Sequence, residues 1–192
     1  RVEHEPVAIC RLKRVAADNK EDVLARLPPI PKERNGKRIA CIGGGPASLT
    51  VARDLAPLGY EIHIFDDQPK PGGFIRTQIP RFRLPEEIID EECGYITERG
   101  GVVLHMNRRV ESLKAVLAEV VATFGGLHVV ANNAGINRPT DFDQVTDADW
   151  QEIMDVNLRG PFVVAQEALP HLEASGGGSI VMTGSVSGQD GG

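Results

Sequence analysis

Three glycines in a row, Gly43, Gly44 and Gly45, stand between the apolar run RIACI and a helical stretch that opens with Pro46 and Ala47. Gly43, Gly45 and Ser48 occupy the three small positions of the pattern G-x-G-x-x-G/A, with Ser48 in the last. Glycine at the first position permits a tight turn out of a strand. Glycine at the second leaves the backbone open to a pyrophosphate, which the free N–H groups and dipole of the following helix attract. Asp66 ends the next apolar run, about twenty residues on, where a carboxylate accepts hydrogen bonds from ribose hydroxyls and repels a 2′-phosphate. Gly43, Gly44, Gly45, Pro46, Ala47 and Asp66 are therefore expected to bind a dinucleotide, FAD or NAD, with NADP disfavoured. A plain glycine turn followed by a capping aspartate would use some of the same residues. The strand before, the helix after and the spaced carboxylate together favour a ligand.

A second set lies downstream. The run LHVVAN ends in NNAG, Asn132 to Gly135. Asn132 either ties adjacent strands together or reaches a ribose, and Ala134 and Gly135 let a flat ligand approach the backbone. Ser185 follows SIVMTG, at the carboxyl end of another apolar run, where a serine can do chemistry. The five histidines are scattered without metal-ligand spacing, so no metal is expected. Cys10, Cys41 and Cys93 are too far apart for a disulfide framework or a metal box. Buried, reduced thiols in a reducing, cytoplasmic compartment are the expectation.

These residues need elements to position them. The sequence predicts a helix over 6–26, a Pro-rich linker up to residue 37, and a main domain over 38–192. In that domain RIACI, YEIHIF, VVLHM, LHVVAN and SIVMTG read as strands, alternating with helical stretches. Such alternation predicts an α/β fold: a Rossmann-like, doubly wound parallel sheet of order 3-2-1-4-5, ending after strand five, with an N-terminal helical arm. The last strand would leave an open edge, so self-association into a homo-oligomer is an expectation. Hydrophobic residues make up 41% of the chain and charged residues 25%, ordinary values for a globular protein. The formal net charge of -6 argues against a nucleic-acid partner. No apolar run approaches the roughly 18 residues of a membrane span, and the start lacks the apolar core of a secretory leader.

Two family resemblances overlie this reading. Residues 1–119, above all IGGGPASLTVARDLAPLGYEIHIFDDQPKPGG and IPRFRLPEEIIDEE, resemble the flavin-binding half of glutamate synthase small subunit-like oxidoreductases. That resemblance implies FAD at Gly43, Gly45 and Asp66, with Gly72 and Gly73 near the cofactor. Residues 120–192 resemble the short-chain dehydrogenase/reductase family. That second resemblance implies that Asn132, Ala134 and Gly135 form the strand-four motif. It also makes Asn157, in DVNLRG, the asparagine of the catalytic tetrad, and Ser185 the serine that holds the substrate oxygen. The join falls near residues 119–120.

The dehydrogenase mechanism also requires a tyrosine acid/base and a lysine that lowers its pKa. No residue after Ser185 is Tyr or Lys, and the chain's tyrosines, Tyr60 and Tyr95, lie in the flavoprotein-like part. The expectation is a dinucleotide-binding, oxidoreductase-type domain, catalytically incomplete over these residues, with its substrate unknown. The alternative is a nucleotide-binding or structural domain without turnover.

Overall fold

The computed structural model describes residues 7–21, 23, 26–137 and 140–184. Five strands alternate with helices in the expected order. β1 (Arg38–Ile42), β2 (Glu61–Phe65) and β3 (Val103–His105) form one parallel sheet of order β1-β2-β3, with Ile39 opposite Ile62 and Ile64 opposite Leu104. β4 (Val129–Asn132) and β5 (Ser179–Met182) form a second parallel sheet, with Val130 opposite Ile180. The expected neighbours within each sheet are present. The single five-stranded ladder of order 3-2-1-4-5 is not, because β1 and β4 share no hydrogen-bonded register.

The strand period explains the core of the first sheet. Successive side chains point to opposite faces. Ile62 and Ile64, 1% and 0% exposed, share their face with Cys41. α2 (Pro46–Leu55) and α4 (Glu86–Gly100) cover that face with Leu49, Ala52, Ile89 and Cys93. α2 stops where Pro57 tightens the chain into a short 3₁₀ turn, which Gly59 closes at φ 89°. Gly101, at φ 60°, ends α4 in the same left-handed conformation.

The other face of that sheet is polar and aromatic. Glu61, His63 and Phe65 alternate with the isoleucines, and His105 lies beside Phe65. The end of α5 (Leu113–Phe124) rests there: Phe124 tilts against His63, and Arg38 donates to the Thr123 carbonyl at 3.1 Å. Arg108 pairs with Glu119 at 2.7 Å. Leu117 on α5 also joins Leu127, Val130, Ala168 and Leu172 in the core under the second sheet. Side chains of α5, in place of a β1–β4 ladder, therefore connect the two sheets.

His63 Nδ1 and His105 Nε2 are 3.0 Å apart, and Glu61 sits 2.9 Å from His63 Nε2. Burial, the neighbouring His63 and Arg108 all hold the His105 imidazole below its ordinary value, and Glu119 opposes them. The fold thus favours neutral His105. Its contribution to stability is complete above about pH 6.5 and is lost as the pH falls from there towards the lowered folded value. Glu61 is held low by His63 first and then Arg38, so its contribution fails in a separate, more acid window. His105→Phe keeps a ring against Phe65 and removes the titration. It is expected to flatten the loss of urea resistance between about pH 7 and pH 5. An unchanged slope in the variant would remove His105 as its source.

The N-terminal arm is shorter than expected. α1 spans Ile9–Asp18, and the Asn19 side chain folds back to the Val15 carbonyl at 2.9 Å, which ends the helix well before residue 26. α1 buries no residue, so Cys10 is exposed, against expectation; Cys41 and Cys93 are buried. The helical stretch between β4 and β5 contains two helices, α6 (Asp147–Met154) and α7 (Gly160–Ala174), joined by one wide π turn. No helix among the described residues is long and apolar enough to cross a membrane.

Candidate functional site

The first sheet delivers the glycine turn. The Gly43 N–H donates to the Phe65 carbonyl at 2.7 Å, carrying the β1–β2 ladder one step past Ile42. Gly43 then turns at φ 94°, a conformation that favours glycine. Gly45 caps α2 in an extended conformation, Pro46 takes the first helical position, and no side chain caps this helix start. A side chain at Gly43 would meet nothing within 4 Å, and the nearest atom to one at Gly45 is the Gly73 Cα at 4.0 Å. Gly45 is therefore not required by packing within the protein. The space before the uncapped start of α2, over Pro46 and Ala47, suits an anion.

Asp66 has a closer role than spacing could show. One carboxylate oxygen accepts from the Gly44 N–H, and the other accepts from the Gln68 N–H at 2.7 Å. Its backbone also bridges to β3, taking an N–H from Arg108 at 2.8 Å and donating to the His105 carbonyl at 3.1 Å. The aspartate thus ties the glycine turn to the ends of β2 and β3. Its carboxylate has about four lone-pair sites, so two remain for hydroxyl donors. Burial raises the pKa of the Cys41 thiol, and the Ser48 side chain works against the rise.

A strap closes over the turn. The Gly72 N–H donates to the Gly44 carbonyl at 2.8 Å. Gly73, at φ 55°, lies so close that a Cβ there would fall 2.7 Å from the Gly45 Cα. Gly73 is therefore glycine for contact as well as for conformation. It leads into the short helix α3 (Phe74–Thr77).

The second sheet carries the other set. Asn132 ends β4 and donates to the Pro161 carbonyl at 3.2 Å, with the Met182 sulfur at 3.3 Å. It ties β4 to β5 and to α7. Asn157 lies in the π turn, and its Oδ1 accepts from the Ile136 N–H while its Nδ2 donates to the Ile136 carbonyl, both at 2.8 Å. Ala134 and Gly135 precede that clamp, and a Cβ at Gly135 would sit 3.4 Å from Asn157 Oδ1. The wide turn has a local cause. Pro161 has no N–H for the Asn157 carbonyl, and the Gly160 N–H reaches back to Asp155 instead.

The structure gathers Gly43, Gly44, Gly45, Pro46, Ala47, Asp66 and Gly73 at the carboxyl end of the first sheet. It gathers Asn132, Ala134, Gly135 and Asn157 at the carboxyl end of the second, and the two sheets share no ladder. Ser185 lies outside the described residues. Among the described residues, no group of three or more His, Cys, Asp or Glu side chains is placed to hold a metal ion. The sequence reading missed Ile136, as partner of Asn157, and Arg76, as anchor of the strap. Pro161, four residues after Asn157, was the available signal for the first.

Parallel strands, crossover helices and a glycine turn before a helix define a dinucleotide-binding, Rossmann-like α/β protein of oxidoreductase type. Residues 95–192 match the short chain dehydrogenase family, and the chain belongs to it. Residues 41–119 also match the NAD(P)-binding Rossmann-like domain, so the two matches overlap over 95–119. The chain is 35% identical over 126 residues to the NAD-dependent dihydropyrimidine dehydrogenase subunit PreT of Escherichia coli K12, covering 62% of this chain and 30% of that protein. It is 37% identical over 99 residues to the peroxisomal multifunctional enzyme type 2 of Mus musculus, covering 52% of this chain and 14% of that one. The chain thus spans less than a third of either curated relative. Carveol dehydrogenase from Mycobacterium avium, solved in complex with NAD, shares the fold with a TM-score of 0.55 at 23% identity, over 82% of this chain and 57% of that one.

Proposed function

We propose that residues 38–192 form one domain that binds the adenosine diphosphate part of NAD or FAD at the glycine turn. The carrying observation is the tie between Asp66 and Gly44, which sets a carboxylate beside the open start of α2. The pyrophosphate would lie over Gly43, Gly44 and Gly45 and the first turn at Pro46 and Ala47, with Gly73 on the far side. Asp66 would take the ribose hydroxyls. Asn132, Ala134 and Gly135 would shape the second sheet's edge of the cleft, and Asn157 would hold that edge. Ser185 would orient a substrate oxygen. The family supports hydride-transfer chemistry. Nucleotide binding without turnover is favoured by one observation: the two clusters stand on sheets that share no ladder. Val129 and Val181, 60% and 53% exposed on the open face of the second sheet, support self-association.

The test is a titration of the purified chain with NAD, FAD and NADP. NAD or FAD is expected to bind more tightly than NADP, because a 2′-phosphate would lie beside Asp66. Asp66→Ala also loosens the turn, so all affinities should fall; the informative quantity is the ratio. That ratio should shift towards NADP by about tenfold, the equivalent of 1.4 kcal/mol. A ratio unchanged by the substitution would remove Asp66 from the ribose site. Visible absorbance of the purified protein separates bound flavin from NAD.

A further inference from the structure

Arg76 is 9% exposed, and every nitrogen of its guanidinium is engaged. Nη1 donates to Glu86 at 2.9 Å and Nη2 to Asp90 at 2.7 Å, both on α4. Nε donates to the Pro71 carbonyl at 2.8 Å. The Cys93 thiol approaches the same carbonyl at 3.8 Å, and Lys70 pairs with Asp90 at 2.7 Å. A planar fork of donors can bind two carboxylates and a carbonyl at once, and an ammonium cannot hold that geometry. The strap over the glycine turn, residues 70–73, is therefore bound from below. A Cβ at Gly72 would sit 3.1 Å from Arg76 Nε, so the strap lies directly on the guanidinium. On its other side the strap meets Gly44 and Gly45.

We propose that Arg76 is the positioning residue of the nucleotide cradle, fixing the 70–73 strap as the wall opposite Gly44 and Gly45 without touching the ligand. This rests on the dinucleotide reading above. Three of the five guanidinium N–H groups are held by the Pro71 carbonyl, Glu86 and Asp90, which commits the charge to α4 beneath the strap. What it sets is the position of the Gly72 and Gly73 backbone, which borders the space in front of α2. Without that anchor the strap keeps the Gly72–Gly44 hydrogen bond, its contacts at Pro71 and Gly73, and the exposed Lys70–Asp90 pair, none of which fixes the Pro71 carbonyl as the guanidinium does.

ADP is the probe, because NAD and FAD both contain it. Arg76→Met is expected to weaken ADP binding by about tenfold, the worth of one charge-assisted hydrogen bond. Arg76→Lys keeps the charge beside Asp90 and loses the fork. It should stay folded, shift the amide NMR signals of Gly72 and Gly73 before any ligand is added, and bind ADP with intermediate affinity. A merely structural role would lower the melting temperature and leave the affinity of the folded protein unchanged. If folded Arg76→Lys binds ADP as the unmodified chain does, while Gly45→Val does not bind it, the cradle stands and the role of Arg76 is overturned. If Gly45→Val also binds normally, the cradle reading fails, and the Arg76 role with it. Should neither Arg76 variant fold, ADP titrated into the unmodified chain decides. Shifts at Gly72 and Gly73 support the strap as a wall, and unmoved signals overturn it.

Discussion

Gly45→Val is expected to abolish nucleotide binding while leaving the fold in place. Gly45 is extended, at φ -78° and ψ -177°, a conformation open to valine. Its Cβ would have no protein atom closer than 4.0 Å. The branched side chain would instead fill the space before the uncapped start of α2, where the phosphates must lie. Loss of the phosphate contacts should cost at least about a hundredfold in affinity, near 2.7 kcal/mol. Calorimetric titration with ADP, beside a thermal melt, reads both halves of the expectation. A variant that melts normally and binds ADP normally would show that the ligand does not cross Gly45. Gly73 is the contrasting case, because a side chain there would collide with the Gly45 backbone at 2.7 Å. One glycine keeps room for a ligand; the other keeps room for the chain itself.

That contrast marks where the sequence could be read and where it could not. The pattern around Gly43 and Gly45 was legible because a strand, a tight turn and a helix start each leave a local signature. Asp66 was legible by its distance along the chain. Its bond to the Gly44 N–H was not, because spacing does not say which way a carboxylate turns. β1 and β2 fell where the apolar runs predicted, since Ile39, Cys41, Ile62 and Ile64 face a core covered by α2 and α4. The relation of β1 to β4 was not legible. It depends on how the end of α5 settles against Arg38 and His63, which are distant in sequence. The arm was overread because an apolar stripe continued past Asn19, and the side chain that stops the helix there competes only locally. No pattern in the sequence singles out Arg76. Only the fold brings Glu86, Asp90 and the Pro71 carbonyl around it.

Asn157→Asp should unlatch the loop that follows Asn132 and carries Ala134 and Gly135. In the native chain Asn157 makes a reciprocal pair with one residue, accepting the Ile136 N–H and donating to the Ile136 carbonyl. Aspartate has nearly the same shape and keeps the first bond. At neutral pH it has no donor for the second, so a carboxylate oxygen would face the carbonyl oxygen. Asn157 is exposed, so water relieves part of the conflict, and the expected cost is about 1–2 kcal/mol. The effect should be local, because the Pro161 carbonyl still holds Asn132 and the π turn is set by Pro161. Hydrogen exchange at the Ile136 amide is the direct measure, since opening of the loop exposes that N–H. Exchange should accelerate about tenfold in Asn157→Asp, following the same free-energy scale, and more in Asn157→Ala, which loses both bonds. Below about pH 4 the introduced carboxylate protonates and regains a donor, so the difference between Asn157→Asp and the native chain should narrow while Asn157→Ala stays fast. Equal exchange in all three chains would mean that the clamp does not hold the loop. The loop's approach to a ligand would then have to be set by β4 and Asn132 alone.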